Sequence, residues 1–105
     1  MTNYLLAYTG DATTPDSEEA GQAVMAAWGA WFTDLGQAVV DPGNPTDASR
    51  TVGSDGSTTD GNRSGISGYS VVSADSIDAA TEIAKGCPHL VAGGTIEVYE
   101  TINVM

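Results

Sequence analysis

Gly68-Tyr69-Ser70-Val71-Val72-Ser73-Ala74-Asp75-Ser76-Ile77 is the stretch whose reading decides the fold. Its first seven residues combine aromatic and β-branched side chains and contain no charge, which is the composition of a strand. Asp75-Ser76 then supplies a natural helix N-cap. Ile77, Ala80, Ile83 and Ala84 follow at spacings of three and four, the stripe of a helix packed on one side. Gly86 stops that helix, and Pro88 lies beyond it. Strand therefore feeds directly into helix, one half of a β-α-β unit.

Downstream, Cys87 to Ala92 read as a short further turn of helix, and Gly93-Gly94 as the entry to a last strand from Thr95 to Ile102. Glu97 and Glu100 fall on opposite faces of an ideal strand, so a bulge or an exposed end is expected there. Upstream, Tyr4-Leu5-Leu6-Ala7-Tyr8 is a short apolar run closed by Thr9-Gly10-Asp11, a strand covered on both sides or near an interface. Turn formers occupy 11–16. Asp16 is placed to cap a helix, with Glu19 three residues later as in a capping box. Val24, Trp28, Trp31, Phe32 and Leu35 continue as an apolar stripe, which predicts an amphipathic helix over 17–35, with Gly36 at its C-terminus. Gly29 inside that helix points to close packing beside the tryptophans. Ala38 to Asp41 form a short strand, ended by Pro42-Gly43-Asn44-Pro45.

The long polar segment 46–67 holds two weak strands, Arg50-Thr51-Val52 and Ser57-Thr58-Thr59, separated by the turn signal Asp55-Gly56. It reads as a two-stranded excursion with a mobile tip near Asp60 to Ser64. The remaining elements run β-α-β-β-α-β. Antiparallel pairing of the two halves gives an α+β, ferredoxin-like sheet with both helices on one face. The other face carries apolar side chains, a surface normally buried by a partner, and a homodimer packed sheet against sheet follows.

Length and charge bound the function. The 105 residues fit one domain, 1–105. The formal charge is −11, with only Arg50, Arg63 and Lys85 as fixed cations. Nucleic acid needs a basic stripe and an anionic membrane needs basic clusters; the chain has neither. Cys87 is the single cysteine, so no intrachain disulfide forms. The N-terminus lacks a charged leader region, and no apolar run reaches transmembrane length. A cytoplasmic, bacterial-type protein is the expectation.

The quoted stretch also carries a resemblance. Gly68-Tyr69-Ser70-Val71-Val72, Ala74-Asp75-Ser76 and Ala84-Lys85-Gly86-Cys87-Pro88-His89-Leu90 resemble the YCII-related family of dimeric α/β-barrel proteins. So do Gly93-Gly94-Thr95-Ile96-Glu97-Val98, Tyr4 to Tyr8, and Val40 to Pro45. The resemblance implies a ferredoxin-like protomer, a dimer, and a cavity between sheet and helices. It implies no single activity, because fold does not decide function. Some members pair a histidine on the first helix with a later aspartate as an acid/base site. Asp34 matches the aspartate, but the histidine position falls near Met25, and no His precedes His89. A second branch carries Asp-Gly-Pro-Phe, of which Asp60-Gly61 keeps the first two residues.

Chemistry then falls to few groups. His89 is the one imidazole and would serve as general base or donor if it faces the cavity; the plainer role is support of a helix C-terminus. Asp41, Asp60 and Asp11 flank strand ends near cavity mouths, where Asp also serves ordinary turns. His89 and Asp41 are the candidate catalytic pair. Trp28 and Trp31, with Phe32, form either core or the aromatic wall of a ligand pocket. Tyr8, Tyr69 or Tyr99 would project a hydroxyl into it. Tyr8, Trp28, Trp31 and Tyr69 are the candidate ligand-binding residues. Cys87 follows a helix end, where the dipole disfavours a thiolate. Neither the Asp55 to Asn62 segment nor Gly61 to Gly65 has the spacing of a calcium or phosphate loop, so no metal or cofactor is implied. Three readings stand: a homodimer binding a small aromatic molecule, a cofactor-independent lyase, isomerase or monooxygenase-like enzyme using His89 with a carboxylate, and a structural interaction module.

Overall fold

A computed structural model describes residues 1–104. The alternation of apolar and small residues produces two central strands, β1 (Thr2–Thr9) and β5 (Gly68–Ala74), paired antiparallel from Thr2 opposite Ala74 to Tyr8 opposite Gly68. β6 (Thr95–Glu100) pairs along the other edge of β1, and β2 (Val39–Asp41) along the other edge of β5. The sheet order is β2-β5-β1-β6. With the excursion set aside, this is the split β-α-β arrangement expected. That excursion is the hairpin β3 (Arg50–Val52) and β4 (Thr58–Asp60), a separate two-stranded sheet. Its tip is the Asp55-Gly56 turn. Asp60 to Ser64 lie at its base instead, where Asn62 bonds Ser49 and Gly65.

The helices are α1 (Glu18–Leu35), α2 (Ile77–Lys85) and the short α3 (Pro88–Val91). Ser76 caps α2 as expected, its Oγ accepting from the Ala79 N–H at 3.1 Å. At α1 the cap is Ser17, not Asp16, with Oγ accepting from the Ala20 N–H at 3.0 Å. A serine hydroxyl next to the first turn does this as well as a carboxylate, and sequence spacing does not separate adjacent candidates. Among the described residues, no helix is long and apolar enough to cross a membrane.

The core sits on one face of the sheet. Strand alternation points Tyr4, Leu6 and Tyr8 from β1 and Ser70, Val72 and Ala74 from β5 toward Ala80 and Ala84 of α2, Trp31 of α1 and Cys87. Ile96 and Val98 complete this layer from β6. Two local expectations change, for Gly29 and Val24, and the β6 alternative is decided. β6 keeps an unbroken register from Thr95 to Glu100, so of the bulge or exposed end expected there it is the exposed end that is found, at Tyr99 and Glu100. The irregularity lies in β2 instead, between Val39 and Asp41. Gly29 has nothing within reach of a Cβ, so it permits no close approach, and Val24 is 40% exposed although it belongs to the apolar stripe. The reasons differ: Val24 lies in the N-terminal half of α1, which does not engage the core, whereas Gly29 sits on the exposed side of the C-terminal half, whose other side carries Trp28, Trp31, Phe32 and Leu35.

Candidate functional site

Under the C-terminal half of α1, beside the start of β5, lies a cavity of about 380 Å³. Its aromatic wall is built on Tyr8. The Trp28 ring meets Tyr8 edge-on, with centroids 5.2 Å apart and planes at 83°, and Phe32 lies tilted beside Trp28 at 5.9 Å. Edge-to-face contacts of this kind satisfy the ring quadrupoles and hold the wall rigid.

The opposite rim is the turn Pro42-Gly43-Asn44-Pro45. The Asp41 carboxylate accepts from the Gly43 N–H at 2.8 Å, the side-chain-to-backbone bond that initiates such a turn. Gly43 adopts φ 73°, and a Cβ there would lie 1.7 Å from the Tyr69 carbonyl oxygen. Only glycine allows this approach. The Tyr69 N–H donates to the Asn44 carbonyl at 3.3 Å, and Pro45 bridges to Gly68, so the turn is fastened to β5.

At the floor, the Tyr8 hydroxyl donates to Ser70 Oγ at 2.7 Å, and Ser70 Oγ donates to the Pro42 carbonyl at 2.7 Å. This relay links β1, β5 and the rim. It also commits the Tyr8 proton to Ser70, and the Cys87 side chain is the phenol's other hydrogen-bonding neighbour. Burial pushes the Tyr8 phenol well above its ordinary value, with the Ser70 bond opposing that shift, and burial likewise pushes the Cys87 thiol up. Both raised values mean that the folded state holds these protons more tightly than the unfolded chain. Their contribution to stability is complete below the unfolded values, near 9 for the thiol and 10 for the phenol, and is lost as pH rises through the folded ones. Urea denaturation should therefore show stability falling above about pH 9, and Tyr8→Phe with Cys87→Ala should flatten that fall. An unchanged slope in the double variant would refute the assignment.

His89 is 7% exposed and lines this cavity. Its Nε2 lies 2.8 Å from the Thr9 carbonyl. A carbonyl only accepts, so Nε2 carries a proton and is committed to the backbone. The ring packs tilted against Tyr8 at 5.3 Å, in a notch made by Gly94, where a Cβ would lie 2.1 Å from Nε2. Among the described residues no carboxylate bonds the ring. Asp41 is exposed, holds the Gly43 turn, and lines neither this cavity nor the groove beyond Trp28.

The structure brings together Tyr8, Trp28, Tyr69 and His89 around one cavity. Tyr69 belongs by register to the sheet face away from the helices and lines the cavity from the start of β5. Trp31 is buried and faces a different groove, and Tyr99 lies on the far sheet face, donating to Glu97 at 2.9 Å. Asp11 and Asp60 are both outside the cavity, Asp60 pairing with Arg50 in the hairpin. Met25 lines the cavity while Asp34 lines the other groove, so the two positions of the acid/base dyad sit on different sides of α1. Sequence reasoning missed Ser70 and Gly94. A lone hydroxyl on an otherwise small and apolar inward face, and a glycine pair just after the one histidine, were the available signals.

The YCII-related domain model matches residues 4–104. The chain belongs to the YCII-related family. The comparison with curated proteins found no match. The YCII-related fold is thus established over nearly the whole length, and the mixed α+β sheet with its helices on one face is compatible with the dimeric α/β-barrel architecture.

Proposed function

We propose that this YCII-related domain is a homodimer that binds a small, uncharged, hydroxylated aromatic molecule in the cavity beneath α1. The observation that carries the reading is the cavity itself: an aromatic wall of Tyr8, Trp28 and Phe32 over a polar floor, with no Asp, Glu, Lys or Arg in its lining. A planar ring gains apolar contact from the wall, and a ligand hydroxyl meets the Tyr8 and Ser70 hydroxyls of the floor. A carboxylate-bearing ligand would be desolvated there without a fixed cation to pair with, which disfavours it. The enzyme reading draws support only from His89, whose protonated nitrogen is engaged by the backbone and which has no carboxylate to orient it.

Dimerisation rests on the opposite sheet face. Leu5, Tyr69 and Val71 are half-buried there, and Tyr99 is 49% exposed beside them. A second copy packed on this face removes the patch from water.

A thermal-shift screen of simple phenols should raise the melting temperature in a saturable way, since a ligand bound to the folded state stabilises it. Ser70→Ala should weaken that shift by disturbing the floor. No shift with any phenol would defeat the ligand reading. Sedimentation should give a dimer at micromolar concentration and a monomer for Val71→Lys; a monomeric native chain would defeat the quaternary one.

A further inference from the structure

Trp28 separates the cavity from a second, larger groove of about 730 Å³. One wall is α1, through Ala27, Ala30, Trp31 and Asp34; the other is the 12–15 segment with Pro88 and Val91 of α3. The Trp28 and Trp31 rings meet there at 84°, with centroids 5.8 Å apart, forming an aromatic corner. Asp34 lies one helical turn beyond Trp31 and, among the described residues, is the one Asp, Glu, Lys or Arg in the lining. Lys85, next in sequence to Gly86 of the lining, is tied to Glu82 at 2.8 Å.

We propose that this groove is a separate site for a small organic cation with apolar substituents, a quaternary ammonium or an arylalkylamine. Three features select that class. Trp31 is buried, but the half-buried Trp28 indole borders the groove, and tryptophan attracts a cation through its ring quadrupole better than the other aromatic residues. The Asp34 carboxylate adds a full opposite charge to the same lining. Alanines along α1 leave room and bury alkyl or aryl groups, while a net charge of −11 repels anions and raises the local concentration of cations. This site does not depend on the phenol reading: the two cavities share only Val24, Trp28 and His89 as wall.

Both tryptophans of the chain border the groove, so intrinsic fluorescence reports its occupancy. The full chain would be titrated with benzyltrimethylammonium and with neopentylbenzene, which has the same shape without the charge. The cation should change the fluorescence saturably and bind at least about tenfold more tightly than the neutral molecule. Asp34→Asn should lower cation affinity about tenfold and leave the neutral molecule unaffected; Asp34 is exposed, so the variant folds. Ala30→Phe should abolish both signals by filling the groove, whereas Ser70→Ala in the neighbouring cavity should change neither. Equal affinity for the two probes, or full cation affinity in Asp34→Asn, would overturn the proposal. So would loss of cation binding in Ser70→Ala with retention in Ala30→Phe, which would put the cation in the aromatic cavity.

Discussion

Gly43→Ala is expected to lose roughly 3–4 kcal/mol of folding stability, a fall of about 15 °C or more in melting temperature for a domain of this size. Two effects add. The residue holds φ 73°, which a non-glycine residue adopts only at a cost of about 1 kcal/mol. A methyl group would also lie 1.7 Å from the Tyr69 carbonyl oxygen, an atom of the β5 backbone that has no rotamer with which to escape. The turn must therefore lift from the strand. Lifting it breaks the Ser70 hydrogen bond to Pro42 and the Tyr69 bond to Asn44, leaving buried polar groups unpaired. Gly56→Ala is the control. Gly56 has φ 88° at the hairpin tip but nothing within reach of a Cβ, so that variant should lose only about 1 kcal/mol. Chemical denaturation of the two variants separates strain from collision. Equal losses would show that the close approach to β5 contributes nothing. The same lift opens the cavity rim, so Gly43→Ala should also abolish phenol-induced stabilisation.

The contrast between Gly43 and Gly56 also shows what could be read from sequence. Both glycines announce turns, and the turns, strands and helices were legible because each rests on local spacing: the apolar run of β1, the period of α2, the Asp55-Gly56 signal of the hairpin. What separates the two glycines is a contact with Tyr69, far along the chain, and local patterning carries no information about it. Val24 illustrates the same limit. The helical period assigns it a side of α1, but how much of α1 meets the core depends on where the chain carries that helix. For the site, Tyr8, Trp28 and Tyr69 were legible as aromatic residues on elements that converge. Trp31 was assigned to the same pocket because spacing of three and four marks one broad face, and the structure divides that face between two cavities. The floor was not legible. Ser70 looks like one more small strand residue until its register opposite Leu6 turns it inward beside Tyr8.

Gly94→Ala should produce the second large effect, a loss of roughly 3 kcal/mol, and it should vanish when His89 is absent. Gly94 does not have a positive φ, so its backbone accepts any residue, and the obstacle is the imidazole alone. A methyl group would lie 2.1 Å from Nε2 and 2.5 Å from the adjacent ring carbon. The ring must then leave its notch. It forfeits the bond to the Thr9 carbonyl and its contact with Tyr8, and it vacates space bordering both cavities. His89→Ala alone should lose about 2 kcal/mol through the same bond and the void left behind. In the double variant the alanine at 94 has nothing to displace, so its added cost should be within about 0.5 kcal/mol of zero, a coupling of about 2–3 kcal/mol in a double-mutant cycle. Additive losses would mean that the ring and the glycine are independent, and His89 would then be no more than a buried histidine that happens to lie nearby. A strong coupling makes Gly94 the residue that lets the one imidazole of this YCII-related domain reach the end of β1, with its protonated nitrogen held by the backbone and its ring forming the partition between the two cavities.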